Sequence, residues 1–141
     1  MRSPALPDPA GGGRRPTILL VEDNEDIRDL LEQVLSGEGY QVLVAQDAHE
    51  ALQISRAYPS AIDLLIADII LPGMDGYTIA ESITFGRPDT QVLFLTGDPS
   101  ILDSVQRQEA AFHWVFLQKP FSPREAIERV RELIGTPPAG G

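Results

Sequence analysis

The middle of the chain reads Ile62-Asp-Leu-Leu-Ile-Ala-Asp68-Ile-Ile-Leu-Pro-Gly-Met-Asp-Gly76. An apolar run of strand length leads to the carboxylate of Asp68, and a turn marked by Pro72, Gly73 and Gly76 follows. In a parallel sheet the strand ends share one edge, where open α/β folds place their ligand sites. The segment therefore predicts a buried parallel strand that presents Asp68 at such an edge.

Two other apolar strands are predicted to end in charged residues. Residues 17–21 lead into Glu22 and Asp23, and Lys119 stands before Pro120 at the end of another apolar run. If the strands are parallel, three carboxylates and one lysine meet in a single crevice. Such a group of charges predicts a site for a divalent metal ion and a phosphoryl group.

Strands and helices alternate five times between about residue 17 and residue 135. The predicted strands are short apolar runs rich in Val, Ile, Leu or Phe, at 17–22, 40–45, 62–67, 91–96 and 114–118. This alternation predicts an α/β fold, in which helices cover both faces of a parallel sheet.

The helix ends have sequence signals of their own. The first helix is predicted to stop at Gly37 and the third near Gly86. We expect caps at the start of the second, fourth and fifth helices, namely Asp47, Asp98 with Pro99 at the first helical position, and Ser122 with Glu125 as a capping box.

Composition limits the partners of the chain. Its 141 residues are 43% hydrophobic, which is enough for one domain with a real core. The net charge of −10 argues against nucleic acid and anionic membrane as direct partners, because both require basic patches. The absence of cysteine excludes disulfides and thiolate zinc sites, and fits a cytoplasmic protein.

The two ends of the chain differ from its centre. Residues 1–16 and 136–141 are rich in Pro and Gly, and they offer too little apolar surface to offset the entropy of ordering. They are predicted to be disordered tails on a folded domain spanning 17–135.

The charged residues suit a phosphorylation reaction. A carboxylate such as Asp68 can attack a phosphoryl donor and form an acyl phosphate. Glu22 and Asp23 offer the hard oxygen ligands that Mg²⁺ prefers. Lys119 can pair with phosphoryl oxygens, and the Thr96 hydroxyl at the end of the fourth strand can bond one.

Each of these residues also has a simpler interpretation. Asp68 can be a turn or capping residue, and Glu22-Asp23 can be acids that favour the start of a helix capped by Asn24. Lys119 can be a solvated lysine and Thr96 an ordinary strand threonine. Their arrangement at the ends of several strands favours the functional interpretation.

The complete set resembles the receiver domain of two-component response regulators. The resemblance extends over residues 17–135 and rests on Glu22-Asp23, Asp68 with Pro72 and Gly76, Thr96, and Lys119-Pro120-Phe121. It implies a flavodoxin-like, doubly wound (βα)5 fold with strand order 2-1-3-4-5. A cis bond between Lys119 and Pro120 also fits the tight turn there.

The resemblance implies a role for each residue of the site. Asp68 would take a phosphoryl group from a histidine kinase or histidine phosphotransfer protein. Mg²⁺ would be held by Glu22, Asp23, Asp68 and the backbone carbonyl of Ile70. The chain would then be a signalling switch and not a dedicated enzyme.

The resemblance also implies how the signal leaves the site. Thr96 and Lys119 would grip the phosphoryl group, and Phe116 would turn inward as Thr96 moves. The output face would be the fourth helix, fifth strand and fifth helix, where a partner or a phosphorylation-dependent homodimer would bind. Nearby Trp114 can be a partner anchor or an ordinary packed residue.

Other functions remain as alternatives. A dehalogenase-like phosphatase needs a second Asp two residues after the nucleophile, where this chain has Ile70. A flavodoxin-like cofactor domain is disfavoured because the acidic run 22–26 would repel a flavin phosphate. A receiver fold that docks without phosphorylation is the structural alternative. The chain can be a stand-alone regulator, which its Met1 and tail favour, or the receiver module of a hybrid kinase.

Overall fold

The computed structural model describes residues 14–138. Residues 1–13 and 139–141 of the predicted tails lie outside the described range. Five strands and five helices alternate along the chain: β1 Thr17–Val21, α1 Glu25–Gly37, β2 Gln41–Ala45, α2 Ala48–Ala57, β3 Leu64–Asp68, α3 Gly76–Gly86, β4 Gln91–Thr96, α4 Ile101–Arg107, β5 Trp114–Gln118 and α5 Pro123–Ile134.

The strands form one parallel sheet in the order β2-β1-β3-β4-β5. Leu20 of β1 pairs with Val44 on one side and Ile66 on the other, and Ile66 in turn pairs with Leu93. From β1 the chain builds the sheet first to one side, with β2, and then to the other, with β3, β4 and β5. The carboxyl ends of β1 and β3 therefore border the crevice in which folds of this kind bind their ligands. The predicted doubly wound (βα)5 fold is confirmed.

Two hydrophobic layers enclose the sheet. Alternate strand residues face opposite sides of the sheet. Because both sides are covered, β1 and β3 are buried along their whole length. One layer joins the sheet to α1 and α5 through Ile18, Leu20, Leu31, Leu35 and Val130. The other joins it to α2, α3 and α4 through Leu19, Leu65, Ala51, Ile79 and Val105. Burial on both sides explains why these strands are apolar without interruption.

Most predicted boundaries are confirmed within two residues. The first strand ends at Val21, the second begins at Gln41, and the third runs from Leu64 to Asp68, so that Asp68 closes its strand instead of following it. Asp47 caps α2 by accepting a hydrogen bond from the Glu50 amide. Ser122 and Glu125 form the predicted capping box of α5.

The predicted start of the fourth helix at Asp98-Pro99 is wrong. The helix α4 begins at Ile101, and Asp98 is not its cap. The Asp98 Oδ1 atom instead accepts hydrogen bonds from the Ser100 amide at 3.0 Å and the Ser100 hydroxyl at 2.7 Å. The side-chain turn from Asp98 to Ser100 therefore precedes the helix, together with backbone bonds from the Ile101 and Leu102 amides to the Asp98 and Pro99 carbonyls.

An ion pair joins residue 14 to the edge of the sheet opposite the site. The Arg14 guanidinium donates to both carboxylate oxygens of Asp63, each at 2.7 Å. Asp63 also accepts a hydrogen bond from the backbone N–H of Thr17 at 2.7 Å. Burial acts to raise the pKa of Asp63, but these donors outweigh it and hold that pKa below its ordinary value.

We expect Asp63→Ala to destabilise the domain by about 1–2 kcal/mol at neutral pH, because the Thr17 amide and Arg14 lose their acceptor. A lowered folded-state pKa stabilises the protein above the unfolded value of about 3.9, and this stabilisation is lost as the pH falls through the lowered pKa. Urea unfolding at several pH values measures the difference between variant and wild type.

The exposed Asp89 provides the control for this experiment. Asp89→Ala should change the free energy of unfolding by less than about 0.5 kcal/mol at any pH. A loss in Asp63→Ala that stays constant from neutral to strongly acidic pH would contradict the assigned role of the ionised carboxylate.

Candidate functional site

Asp68 lies at the end of β3 with both carboxylate oxygens engaged. Its Oδ2 atom accepts a hydrogen bond from Lys119 Nζ at 2.6 Å, and Oδ1 accepts one from the Ile70 amide at 2.9 Å. The residue is 8% exposed. The cap of α3 is Asp75, whose side chain accepts from the Thr78 amide. The interpretation of Asp68 as a helix cap is therefore wrong.

Glu22 directly follows β1 and is completely buried. Its Oε2 atom accepts a hydrogen bond from the Asn24 amide at 3.1 Å. Its Oε1 atom lies 3.1 Å from Lys119 Nζ, but without the geometry of a hydrogen bond. Burial raises the pKa of Glu22 above its ordinary value, and Asn24 and Lys119 oppose this only in part. The site therefore contains a buried acid that a further cation would stabilise.

Asp23 completes an acidic cluster at the same edge. Carboxylate oxygens of Glu22, Asp23 and Asp68 all lie within 4.8 Å of one another, and Asp23 is exposed to solvent. Asn24 caps α1 through the Ile27 amide, so Glu22 and Asp23 precede the helix instead of forming its first turn. Three hard oxygen donors, one of them open to water, suit Mg²⁺, which retains several waters when bound.

Lys119 places its ammonium between two of the three carboxylates. It is the only lysine of the chain, and all other basic residues are arginines. Its backbone N–H donates to the Thr96 carbonyl at 2.7 Å, and its bond to Pro120 is cis, as predicted. Burial acts to lower the pKa of Lys119, but the hydrogen bond to Asp68 and the ion pair with the Glu22 carboxylate outweigh it and raise that pKa. The side chain is therefore a fixed cation at neutral pH.

Gly76 allows α3 to begin directly against the end of β3. A Cβ atom at this position would lie 2.3 Å from the Asp68 carbonyl oxygen and 2.9 Å from the Ile69 Cα atom. The Gly76 amide donates to the Ile69 carbonyl at 2.7 Å. Since only glycine fits this approach, Gly76 fixes the backbone position of Asp68.

Thr96 and Phe116 lie at the site but do not contact the carboxylates through hydrogen bonds. Thr96 is completely buried at the end of β4, and its hydroxyl bonds to the backbone of Asp98. Phe116 pairs with Phe94, two residues before Thr96, and is 36% exposed. Phe116 is therefore not a core residue.

Two further residues singled out by the sequence are Ile70, a predicted metal ligand, and Trp114, a partner anchor or packed residue. Ile70 is 59% exposed and its amide binds Asp68, while the use of its carbonyl as a ligand stays a prediction. Trp114 is half-buried, with its ring centre 5.7 Å from that of Phe94, so it packs on the core.

Arg28 is a site neighbour that sequence reasoning missed. Its guanidinium extends from α1 and donates to the Glu22 carbonyl at 2.9 Å. The bond fixes the loop that holds Glu22 and Asp23. No motif marks this arginine, because it lies on a helix whose exposed face contains many charged residues.

A parallel α/β sheet with an acidic crevice and one lysine defines the class of the molecule, and comparison with known proteins gives the family. Residues 18–131 match the response regulator receiver domain family. The chain belongs to this family of two-component signalling modules. The fold is therefore flavodoxin-like, as expected from the resemblance.

Several curated relatives are transcriptional regulatory proteins of bacteria. The uncharacterised transcriptional regulatory protein YrkP of Bacillus subtilis is 41% identical over 113 residues, covering 80% of this chain and 47% of that protein. CssR of the same organism is 35% identical, covering 84% of this chain and 51% of that protein. The chain thus spans about half the length of the curated relatives it matches.

Solved structures with the same fold include receivers from several contexts. A CheY-like receiver domain protein of Methanospirillum hungatei has a TM-score of 0.74 and 32% identity, covering 84% of this chain and 93% of that chain. The receiver domain of the hybrid histidine kinase CckA has a TM-score of 0.70 and 34% identity, covering 84% of this chain and 98% of that chain. Among residues 14–138, no helix is long and apolar enough to cross a membrane.

Proposed function

We propose that residues 17–135 act as a phosphorylation-dependent switch, in which Asp68 accepts a phosphoryl group from a histidine kinase or histidine phosphotransfer protein. The observation that supports this most strongly is the acidic cluster: three carboxylates lie within 4.8 Å of one another beside the Lys119 ammonium. A purely structural domain would gain nothing from the desolvation of Glu22.

Mg²⁺ would be held by Glu22, Asp23 and Asp68, with the Ile70 carbonyl as a further ligand. When bound, it would offset the repulsion between these carboxylates and the incoming phosphoryl group. The buried, incompletely paired Oε1 atom of Glu22 supports this assignment.

Phosphoryl transfer requires one oxygen of Asp68 to become a nucleophile. A bond forms between that oxygen and phosphorus while the phosphorus–nitrogen bond of the donor histidine breaks, and its electron pair stays on the imidazole. Lys119 holds Oδ2 at 2.6 Å before the reaction, and its ammonium can move to the new phosphoryl oxygens afterwards. The Ile70 amide keeps the carboxylate oriented through Oδ1.

The signal would leave through the face formed by α4, β5 and α5, where a partner or a second copy would bind. The phosphoryl group would attract the Thr96 hydroxyl, and the exposed ring of Phe116 would turn inward. A ligand shifts such a two-state equilibrium only by its differential affinity for the two states, and bonds to Thr96 and Lys119 would provide that difference. Phe116 has no hydroxyl, so its two positions would differ by packing alone.

Beryllofluoride, a mimic of a bound phosphoryl group, tests this proposal. With Mg²⁺ present, it should shift the amide resonances near Asp68 and those of residues 98–134, and change the fluorescence of Trp114. With a chelator in place of Mg²⁺ the spectrum should stay that of the free protein. Shifts confined to the Asp68 loop would show that no switch reaches the proposed output face.

Removal of the Lys119 ammonium should separate metal binding from the response. In Lys119→Ala we expect Mg²⁺ to bind equally well or more tightly, because a competing cation is gone, while beryllofluoride no longer shifts residues 98–134. Lys119→Arg is the matched control, since it keeps the charge but presents a planar fork in place of a compact ammonium. Isothermal titration and amide spectra measure the two properties. Equal beryllofluoride responses in Lys119→Ala and wild type would refute the role of Lys119.

A further inference from the structure

The proton of the Thr96 hydroxyl is already used in a hydrogen bond in this conformation. It donates its proton to the Asp98 carbonyl at 3.0 Å and accepts a hydrogen bond from the Asp98 amide at 3.0 Å. A hydroxyl has a single proton to donate. Thr96 can donate to a phosphoryl oxygen only after its bond to the Asp98 carbonyl breaks.

The bonds to Thr96 come from the backbone of Asp98, while the side chain of Asp98 bonds to Ser100. Its Oδ1 atom accepts from both the amide and the hydroxyl of Ser100, at 3.0 Å and 2.7 Å. Ser100 occupies the N-cap position of α4 but makes no side-chain capping bond there. The hydroxyl that would normally cap the helix is used by Asp98 instead.

We propose that Asp98 is a positioning residue whose bonds to Thr96 and Ser100 hold the Thr96 hydroxyl away from the phosphoacceptor and couple its release to the start of α4. We name these bonds the Asp98 latch. The inference rests on the proposed function, because it specifies how the switch at Asp68 is restrained.

Opening of the latch is structurally feasible. A Cβ atom on Gly97 would contact nothing within 4 Å, so no other element packs against this point of the loop. The Asp98 carbonyl that accepts from Thr96 also accepts from the Ile101 amide at 3.2 Å, which links this carbonyl to the first residue of α4. Once Asp98 turns away, the Ser100 hydroxyl is free to cap the first turn of α4 after Ser100 changes from its helical to an extended backbone conformation. The new capping bond would offset part of the cost of the bonds that are lost.

Three variants separate the latch from a simple charge effect. Asp98→Ala removes the acceptor and the charge, Ser100→Ala removes one donor without changing charge, and Asp98→Asn removes the charge but keeps an Oδ1 acceptor. Weakening of one hydrogen bond should tighten beryllofluoride binding about 2- to 10-fold in Asp98→Ala and Ser100→Ala. Asp98→Asn should stay close to wild type. Tighter binding in Asp98→Asn together with unchanged binding in Ser100→Ala would overturn the latch in favour of electrostatic repulsion.

A second measurement needs no phosphoryl mimic. In the free protein with the latch weakened, the Thr96 side chain should populate a new rotamer, seen in its three-bond couplings and methyl shift, and the amides of residues 97–101 should exchange faster. An unchanged Thr96 rotamer in both Asp98→Ala and Ser100→Ala would overturn the latch. Failure of the wild type to bind beryllofluoride would refute the proposed function instead, and the rotamer measurement would still decide whether Asp98 positions Thr96.

Discussion

Asp68→Asn should take up no phosphoryl group from a small-molecule donor such as acetyl phosphate, even with saturating Mg²⁺. The amide that replaces the carboxylate lacks the nucleophilic oxygen, so an acyl phosphate cannot form. The fold should survive, because the asparagine oxygen can still accept the hydrogen bond from the Ile70 amide. Intact-protein mass spectrometry measures the uptake.

Asp75→Asn is the matched control for this prediction. Asp75 lies in the same loop, and asparagine can still cap α3 by accepting from the Thr78 amide. This variant should take up the phosphoryl group as the wild type does. Undiminished uptake by Asp68→Asn would remove Asp68 from its assigned role.

Gly76→Ala should damage both stability and the reaction. Its methyl group would lie 2.3 Å from the Asp68 carbonyl oxygen, and backbone atoms of two elements must separate to admit it. We expect a loss of about 1–3 kcal/mol of unfolding free energy, as is usual for an overpacked site. Displacement of Asp68 by about 1 Å should slow phosphoryl uptake about 100-fold.

Gly86 provides the comparison, because it ends the same helix and a Cβ atom there would contact nothing within 4 Å. Gly86→Ala should leave uptake unchanged and stability equal or up to about 1 kcal/mol higher. Denaturant unfolding and the rate of uptake test both variants. Equal behaviour of the two alanine variants would show that the close approach at Gly76 does not position Asp68.

The fold could be predicted from the sequence because its signals are local and agree with one another. The apolar strand 62–67 and the capping box at Ser122 each specify their element without reference to the rest of the chain. The start of α4 could not be predicted in this way. Asp98 followed by proline fits a helix cap, but its side chain accepts hydrogen bonds from the amide and hydroxyl of Ser100 instead. Which of these bonds the side chain makes depends on the three-dimensional path of the loop.

The residues that form the site could also be predicted, but some of the hydrogen bonds that hold them could not. Strand ends of a parallel sheet bring Glu22, Asp23 and Asp68 together, as the sequence predicts. The sequence contains no indication that Arg28 reaches the Glu22 carbonyl, or that the Thr96 hydroxyl bonds to Asp98. Such contacts depend on rotamers and loop paths, which periodicity and spacing do not encode.

Location of the phosphoryl group on the wild-type chain tests the central claim most directly. The protein is incubated with acetyl phosphate and either Mg²⁺ or a chelator, and the acyl phosphate is reduced with borohydride before peptide mass spectrometry. We expect one modified residue, Asp68, and only in the sample that contains Mg²⁺. Modification of a different residue, or equal incorporation in the presence of the chelator, would contradict a magnesium-dependent phosphoacceptor at Asp68.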